Sequence, residues 1–274
     1  MTLQTHSDAA PIPPGIPGLD DILAGGYAGN RAHLIEGRPG SGKTTAGMQF
    51  LLVGAEQGET CLYIALSESE RELLSVASRR GWSLEGIEIF ERVPSELSLD
   101  PQQQQSPVHA SDLELGETVH MAPAEIERVE PSRVVVDSLT GYLNAMPEQP
   151  FIVLQMHELL TYLNQQSVVT ILILAQHGMV GQMVSPVDLT YLSDAVVLLR
   201  FFEADRRIRR ALSVVKRRTG PHEETIREFR IDSQGLRVGP PLEQFRGVLT
   251  DVRTFEGQRA SLLEERETDN DAGR

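Results

Sequence analysis

Gly37-Arg38-Pro39-Gly40-Ser41-Gly42-Lys43-Thr44 is the stretch that decides the fold, because it fits the phosphate-binding pattern G-x-x-x-x-G-K-[ST] in full. It follows a short apolar run at Ala32–Ile35 and precedes an amphipathic run from Thr45 to about Gln57. A strand, a glycine-rich turn and a helix in that order are the context that this pattern requires. The segment therefore predicts a nucleotide-binding loop between a strand and a helix.

The residue types of this loop suit a nucleoside triphosphate. Its three glycines let the backbone curl so that successive N–H groups point at phosphate oxygens, and the helix N-terminus adds partial positive charge. Lys43 is expected to reach the β- and γ-phosphates, and the Thr44 hydroxyl is expected to bind Mg²⁺. We predict ATP and Mg²⁺ as cofactors, bound by the loop and the adjoining Thr45.

Composition and charge exclude several classes of protein. The 274 residues can bury one sizeable core, and a net charge of −14 disfavours broad electrostatic capture of nucleic acid. The single cysteine, Cys61, excludes an intramolecular disulfide, and the first ten residues carry no signal pattern. Val168–Ala175, the most apolar run, is too short to span a bilayer. We therefore expect a soluble, cytoplasmic protein.

Apolar periodicity switches repeatedly between strand and helix, which predicts an α/β fold with a mostly parallel central sheet. The predicted strands are Thr60–Leu66, Ile87–Val93, Arg133–Asp137 and Val168–Ala175, and the predicted helices are Glu68–Arg80, Glu117–Glu130 and Phe151–Gln166. Pro94 to about Leu115 reads as a long polar connection that includes the Gln102–Gln105 run.

The pattern changes after Ala195. Ala195–Phe202, Arg207–Val215 and Glu224–Ile231 alternate with turn residues between them, which is typical of antiparallel strands. The tail from Glu256 to Arg274 is charged and lacks aromatic residues, so we expect it to be disordered.

Three residues at predicted strand ends are candidates for chemistry. Asp137 closes the apolar Val134–Val136 run, where an acid would complete the Mg²⁺ shell. Glu68 could polarise an attacking water, or it could simply favour the dipole of the next helix from its first turn. Gln176 could sense the γ-phosphate, or it could be an ordinary strand end.

A basic cluster, Lys216-Arg217-Arg218-Thr219-Gly220-Pro221-His222, is a further candidate. Alternation along a strand puts Lys216 and Arg218 on one face, with His222 in the turn that follows. Such side chains could reach a phosphate in the same chain or in a neighbour. Two alternatives are solvated charge on a hairpin and a nucleic-acid patch, although few aromatic residues lie nearby to stack bases.

Taken together, these residues make the chain resemble a KaiC-type ATPase of the RecA superfamily, from about Gly15 to Phe255. The matching segments are Gly15-Ile16-Pro17-Gly18-Leu19-Asp20 with Gly25-Gly26, the phosphate-binding loop, Val136-Asp137-Ser138-Leu139-Thr140, Lys216-x-Arg218-x-x-x-His222, Ile226–Phe229 and Phe245–Thr250.

The resemblance implies a RecA-like ATPase domain at residues 15–255, between an extension at residues 1–14 and a tail at residues 256–274. It also implies ATP bound at subunit interfaces of a homo-oligomeric ring, most simply a hexamer, in which Lys216, Arg218 and His222 reach the γ-phosphate on the adjacent subunit. The clock protein of this family has two such lobes in one chain, whereas this chain has one. The family usually carries two adjacent glutamates where this chain has Ser67 and then Glu68.

The family's Ser-Thr phosphorylation pair aligns near Thr190-Tyr191, so Thr190 is a candidate acceptor, although a hydroxyl-rich turn before the strand is the favoured interpretation. The expected function is an ATPase that acts as an oligomeric signalling or regulatory switch, with a sensor or regulatory protein as a candidate partner. The alternatives are a Ser/Thr autokinase and a RecA-like DNA recombination accessory.

Overall fold

The computed structural model describes residues 10–92, 121–140, 149–176, 188–204, 206–243, 245–246 and 254–255. The predicted polar connection with Gln102–Gln105 and the charged tail at residues 256–274 lie outside the described residues. Within those ranges, no helix is long and apolar enough to cross a membrane.

The main sheet has nine strands in the order β3-β2-β4-β5-β1-β6-β7-β8-β9. Its strands are β1 (Ala32–Gly37), β2 (Cys61–Ala65), β3 (Ile87–Glu91), β4 (Arg133–Asp137), β5 (Val169–Ala175), β6 (Ala195–Ala204), β7 (Arg207–Arg217), β8 (Arg227–Asp232) and β9 (Gly235–Pro241). The helices are α1 (Leu19–Ile22), α2 (Lys43–Glu56), α3 (Glu70–Arg80), α4 (121–129) and α5 (Gln149–Gln165). A separate pair joins β10 (Phe245–Arg246) to β11 (Thr254–Phe255).

Strands β3 to β6 of this order pair in parallel, and β7, β8 and β9 continue the sheet in antiparallel fashion. This arrangement confirms the predicted α/β fold with a mostly parallel sheet and antiparallel C-terminal strands. Strand β9 and the short helix α1 were not predicted. Pro240 and Pro241 argue against a strand at β9 in the sequence, because proline cannot donate a backbone hydrogen bond to a neighbouring strand. They are tolerated in the structure because β9 is the last strand of the sheet.

Helices cover both faces of the parallel strands, as alternating strand side chains require. Helices α4 and α5 pack on the face that carries Leu62, Val134 and Leu172. Helices α1 and α2 pack on the face that carries Ile35, Tyr63, Val135 and Ile173. The second face positions the nucleotide loop, because α2 begins directly after it.

The three glycines of the loop are required for two different reasons. Gly40 and Gly42 have φ of +75° and +108°, in the left-handed region that other residues rarely adopt. Gly37 does not, but a Cβ atom added there would lie 2.5 Å from the backbone carbonyl oxygen of Leu199 in β6. Gly37 is therefore fixed by the close approach of the neighbouring strand.

Arg133, the first residue of β4, has a fully buried guanidinium that bonds to α2 and to the segments before α1 and β2. Its Nε donates to Glu59 Oε2 at 2.6 Å, and one terminal nitrogen donates to the carbonyl oxygens of Pro13 and Phe50, both at 3.0 Å. The other terminal nitrogen donates to Gln57 and to Glu59. The guanidinium also lies over the Phe50 ring, 4.9 Å from its centroid. Such a group stabilises the fold only while all of its partners are present.

We expect Arg133→Met to lower the free energy of unfolding by about 3 kcal/mol, because it leaves buried carbonyl oxygens without donors. Urea unfolding followed by circular dichroism measures this change. Arg128→Met is the matched control, since Arg128 pairs with Glu125 and Glu88 at the surface. Exposed pairs contribute little, so equal losses in the two variants would show that the Arg133 network does not hold the fold.

We expect Gly37→Ala to lower the free energy of unfolding by about 1–3 kcal/mol, because the added methyl group meets backbone rather than a movable side chain. It should also weaken ATP binding, since β6 or the loop must shift. Isothermal calorimetry measures the binding. Gly58→Ala is the control, because Gly58 has φ of +79° but open space around it. Unchanged ATP affinity in Gly37→Ala would contradict the expected shift of the loop.

Candidate nucleotide-binding site

A pocket of about 490 Å³ opens at the carboxyl edge of the parallel strands. Among the predicted site residues, its walls contain Pro39, Gly40, Gly42, Lys43, Thr44, Thr45, Glu68 and Asp137. The remaining lining residues are Ser67, Arg80, Ser138, Ala175, Arg210 and Ile231. Arg38 and Ser41 belong to the same loop but are absent from these walls.

The beginning of α2 is suited to an anion. This helix starts after Gly42, whose lack of a side chain leaves the first N–H groups of the helix without a side-chain cap. Helix α3 shows the contrast, because the Ser69 hydroxyl and the Glu72 carboxylate form a capping box at its start. Uncapped N–H groups and the helix dipole together favour a phosphate at the start of α2.

Lys43 brings a positive charge to the same place. Its side chain is largely buried, and its Nζ donates to the Arg38 carbonyl oxygen at 3.0 Å. Burial lowers the pKa of Lys43, and the charges of Asp137 and Glu68 oppose that shift. An ammonium group carries three N–H donors, so phosphate oxygens would supply the acceptors that a backbone carbonyl alone does not.

Thr44 and Asp137 meet across the pocket floor. Thr44 Oγ1 donates to Asp137 Oδ2 at 2.7 Å, and the Tyr63 hydroxyl donates to the same oxygen at 2.6 Å. Burial raises the pKa of Asp137, whereas these two hydrogen bonds and the Lys43 charge oppose the rise. Burial likewise raises the pKa of Tyr63, with Asp137 adding to the effect, so the phenol remains a donor.

A hydroxyl and a carboxylate side by side are oxygen ligands that fit Mg²⁺. Within the described ranges, no group of three or more His, Cys, Asp or Glu side chains is placed to hold a metal ion. This donor set therefore suits a magnesium ion that a nucleotide's phosphates hold in large part, and it does not suit a metal caged by protein alone.

Glu68 lies in the pocket and outside the helix. Ser69 is the N-cap of α3, which begins at Glu70, so Glu70 and Glu72 occupy the first turn instead of Glu68. Burial raises the pKa of Glu68, and the carboxylates of Asp137 and Glu72 add to the rise. The predicted helix start at Glu68 was therefore two residues too early, because the Ser69 cap was not recognised.

Gln176 follows β5 directly and is buried. Its backbone N–H donates to the Gly37 carbonyl oxygen at 3.1 Å, and its side-chain amide donates to Glu36 at 3.0 Å. It therefore borders the beginning of the loop from behind but is not among the residues that line the pocket. A role at the γ-phosphate remains a prediction.

Lys216, Arg218 and His222 are not among the described lining residues either. Lys216 pairs with Val196 near the start of β6, at the amino edge of the parallel strands, whereas the pocket lies at the carboxyl edge. Val196 in turn pairs with Leu34 of β1, and three steps of roughly 3.3 Å place the Lys216 backbone roughly 10 Å from the level of Gly37. The cluster therefore lies across the sheet from the pocket of its own chain.

A turn at residues 190–194 holds this cluster. Lys216 Nζ donates to the Thr190 carbonyl oxygen and, at 2.8 Å, to that of Ser193, while Arg218 donates to the Tyr191 carbonyl oxygen at 2.7 Å. Burial and the neighbouring Arg218 charge lower the pKa of Lys216. The Thr190 hydroxyl donates to Asp188 at 2.5 Å. Thr190 thus shares the turn that positions the basic cluster.

Sequence reasoning did not predict six of the lining residues, three of which come from elements remote from the loop. Arg80 stacks on Trp82 and Arg210 stacks on Phe201, each 5.3 Å from the ring centroid, and Ile231 comes from β8. The sequence carries no signal for Arg210, because only the β6–β7 register shows that it lies at the carboxyl edge. Tyr63 read as a buried strand residue, and the sequence carries no signal for its contact with Asp137.

Comparisons with known proteins agree with this geometry. The family model described as "ATPase: KaiC" matches residues 12–243. The chain is 26% identical over 259 residues to the circadian clock protein KaiC3 of Synechocystis sp., covering 94% of this chain and 49% of the relative. It is 28% identical over 247 residues to the UPF0273 protein PH0284 of Pyrococcus horikoshii, covering 87% and 97%.

A third relative is the circadian clock oscillator protein KaiC of Thermostichus vulcanus, 25% identical over 256 residues and covering 93% of this chain. The chain spans about half the length of these clock relatives, 49% and 47%, but nearly the whole of the UPF0273 relative. The family model covers most of the chain, and the fold and the pocket agree with it. The chain therefore belongs to the KaiC ATPase family, and its described residues form a single lobe of this kind.

Proposed function

We propose that this protein is a Mg²⁺-dependent ATPase that assembles into a ring, completes each active site with the neighbouring subunit and acts as a regulatory switch. The observation that carries the proposal is the separation of two half-sites in one chain. Lys43, Thr44 and Asp137 line the pocket at one edge of the sheet, and Lys216 and Arg218 lie at the other edge.

The pocket supplies the groups that bind the nucleotide. Uncapped N–H groups of α2 and the Lys43 ammonium would bind the phosphates, while Thr44 and Asp137 would hold the magnesium ion. That ion would neutralise charge that develops on the phosphates during transfer. Arg80, Arg210 and Ile231 form walls beyond the loop and are available to the base and ribose.

Glu68 is the residue of the pocket best suited to orient the attacking water. It lies beside Thr44 and Asp137, and its raised pKa makes the carboxylate a better proton acceptor than an exposed one. Ser67 occupies the position of the family's first glutamate and has no carboxylate. Glu68 is therefore the one carboxylate of this pair that can orient the attacking water, which favours slow hydrolysis.

The basic cluster would supply positive charge near the γ-phosphate in addition to Lys43. Phosphoryl transfer requires positive charge around the γ-phosphate, and an arginine supplied by a partner accelerates it greatly. In their own chain, the side chains of Lys216 and Arg218 donate to backbone carbonyl oxygens of residues 190–193 at the amino edge, and neither lines the pocket. A neighbouring copy in a ring would bring its amino edge against this carboxyl edge.

A ring of identical subunits closed by such head-to-tail contacts fits the proposal, and the resemblance to the family implies a hexamer. Nucleotide binding would then couple the state of one subunit to the position of the next, which is the basis for a regulatory switch. The names of the clock relatives support a signalling role, and a sensor or regulatory protein would be the partner.

A second candidate activity is self-phosphorylation at Thr190. The observation that favours it is the hydrogen bond from Lys216 to the Thr190 backbone, because a Lys216 that reaches a neighbour's γ-phosphate would carry Thr190 toward the same phosphate. Loss of the first family glutamate at Ser67 weakens this activity, since a carboxylate is the natural acceptor of the hydroxyl proton.

We expect Lys43→Ala and Lys216→Ala each to lose most ATP turnover, and their equimolar mixture to recover roughly a quarter of the wild-type rate. Random assembly gives one interface in four an intact pocket facing an intact basic cluster. A coupled phosphate-release assay measures turnover, and light scattering in Mg-ATP measures assembly on the same fractions.

Arg207→Ala is the control for this mixture, because Arg207 is exposed at the hairpin tip and lines no described part of the pocket. It should retain wild-type turnover alone. A mixture with no more activity than the sum of its two components would exclude completion in trans, and turnover by a monomer at the wild-type rate would exclude the ring requirement.

Incubation with Mg-ATP should add one phosphate to Thr190 if the second activity is present, and Thr190→Ala should remove it. Intact-protein and peptide mass spectrometry measure the added mass. Lys43→Ala serves as the control for contaminating kinases, because it removes the chain's own nucleotide lysine. An unmodified wild-type protein would rule out the kinase activity and leave the ATPase proposal intact.

A further inference from the structure

The Tyr63 phenol reaches the metal end of the pocket from inside the sheet. Tyr63 lies in β2 and is 1% exposed. Ala65 of β2 lies opposite Asp137 of β4 in the parallel register, and Tyr63 lies opposite Val135. Side chains two residues apart share a face of the sheet, so Tyr63 and Asp137 both face α2. The phenol therefore spans the distance along the strand to the carboxylate.

We propose that Tyr63 is a positioning residue for the magnesium ion, because its hydroxyl fixes the orientation of the Asp137 carboxylate. The proposal rests on the proposed function, since it concerns the metal that accompanies ATP. The contact is direct: Tyr63 Oη donates to Asp137 Oδ2 at 2.6 Å, a length typical of a hydroxyl that donates to an ionised carboxylate.

The ring of Tyr63 is held rigidly enough to orient its partner. It is buried in the apolar cluster that contains Met48 and Leu51 of α2, with Leu84, Ile87 and Ile89 packed against that cluster. These neighbours offer the hydroxyl no polar group, so Asp137 is the acceptor toward which packing directs it. A side chain locked by packing is what a site needs in order to hold a metal-binding group in place.

Two donors on one carboxylate oxygen decide which atoms face the metal. Tyr63 and Thr44 both donate to Asp137 Oδ2, which leaves Oδ1 for a water of the magnesium shell. A threonine hydroxyl has a single hydrogen, and Thr44 directs it at Asp137, so the lone pairs of its oxygen remain for the metal. Removing the Tyr63 hydroxyl would free the carboxylate to rotate and would loosen both groups together.

Tyr27 provides a matched control in the same core. It is also 1% exposed and belongs to the apolar cluster that contains Tyr63. Its hydroxyl is buried and finds no hydrogen-bond partner among the described residues. Tyr27→Phe and Tyr63→Phe therefore remove the same atom from the same kind of surroundings, and only the second removes a bond to the candidate metal site.

The test uses the full chain with a non-hydrolysable ATP analogue, and Mn²⁺ in place of Mg²⁺. Electron paramagnetic resonance measures free Mn²⁺ during titration, and calorimetry in EDTA measures binding of the analogue without metal. We expect Tyr63→Phe to weaken Mn²⁺ binding roughly 10- to 100-fold, as loss of partners behind metal ligands usually does. Affinity for the analogue in EDTA should stay within about twofold, because the bond that is removed goes to Asp137 and not to Lys43 or to the N–H groups of α2.

A double-mutant cycle with Asp137→Ala tests whether Tyr63 acts through Asp137, because alanine removes the acceptor of the Tyr63 hydrogen bond. In the Asp137→Ala background, Tyr63→Phe should produce no further loss of Mn²⁺ affinity. Thermal unfolding of each variant checks that the fold is retained, and Tyr27→Phe should leave both affinities at the wild-type values.

Three results would overturn the inference. They are wild-type Mn²⁺ affinity in Tyr63→Phe, an equal loss in Tyr27→Phe, and a full further loss in the Asp137→Ala background. A wild-type chain that binds no analogue in EDTA or with Mn²⁺ would instead overturn the proposed function, and this inference with it.

Discussion

Parallel pairing of β1, β4 and β5 brings the ends of these strands to one edge of the sheet, and the whole nucleotide pocket depends on that register. Gly37 lies opposite Ala175, and Asp137 lies opposite Ala65 of β2. The loop follows β1, Asp137 ends β4, and the Glu68 segment follows β2, the strand that pairs with β4. A slip of one residue in any pair would turn its strand-end side chain to the opposite face, so the buried faces that fix the register also fix the site.

The antiparallel strands extend the same sheet to the basic cluster that forms the second half of the proposed site. Strand β7 runs back along β6, so its first half reaches the pocket with Arg210 and its second half ends at the opposite edge with Lys216. One strand thus contributes to the pocket of its own chain and presents charge away from it. This division explains why a single copy of the chain contains all the groups of the proposed site but cannot bring them together.

The sequence predicted the parts of this arrangement that are local. The loop pattern, the apolar runs of β2, β4 and β5, and Asp137 at a strand end are each encoded within a few neighbouring residues. The parts that depend on pairing were not predictable in the same way. The place of Arg210 in the pocket requires the β6–β7 register, and the Tyr63–Asp137 bond requires the β2–β4 register. Gly37 was recognised for its turn, but its constraint comes from the Leu199 carbonyl of β6.

The pocket concentrates buried charge that a purely structural core would avoid. Lys43, Glu68 and Asp137 lie close together, and burial moves the pKa of each toward the neutral form. The protein does supply partial compensation through Thr44 and Tyr63, whose hydroxyls both stabilise the Asp137 carboxylate. It supplies none of the phosphate charge that Lys43 and the start of α2 are arranged to meet. At the amino edge of the sheet, by contrast, the buried Arg133 guanidinium has its hydrogen bonds completed within the chain. A buried charge whose partners are complete contributes to the fold, whereas one whose partners are incomplete is held ready for a ligand, and that difference distinguishes the two ends of this sheet.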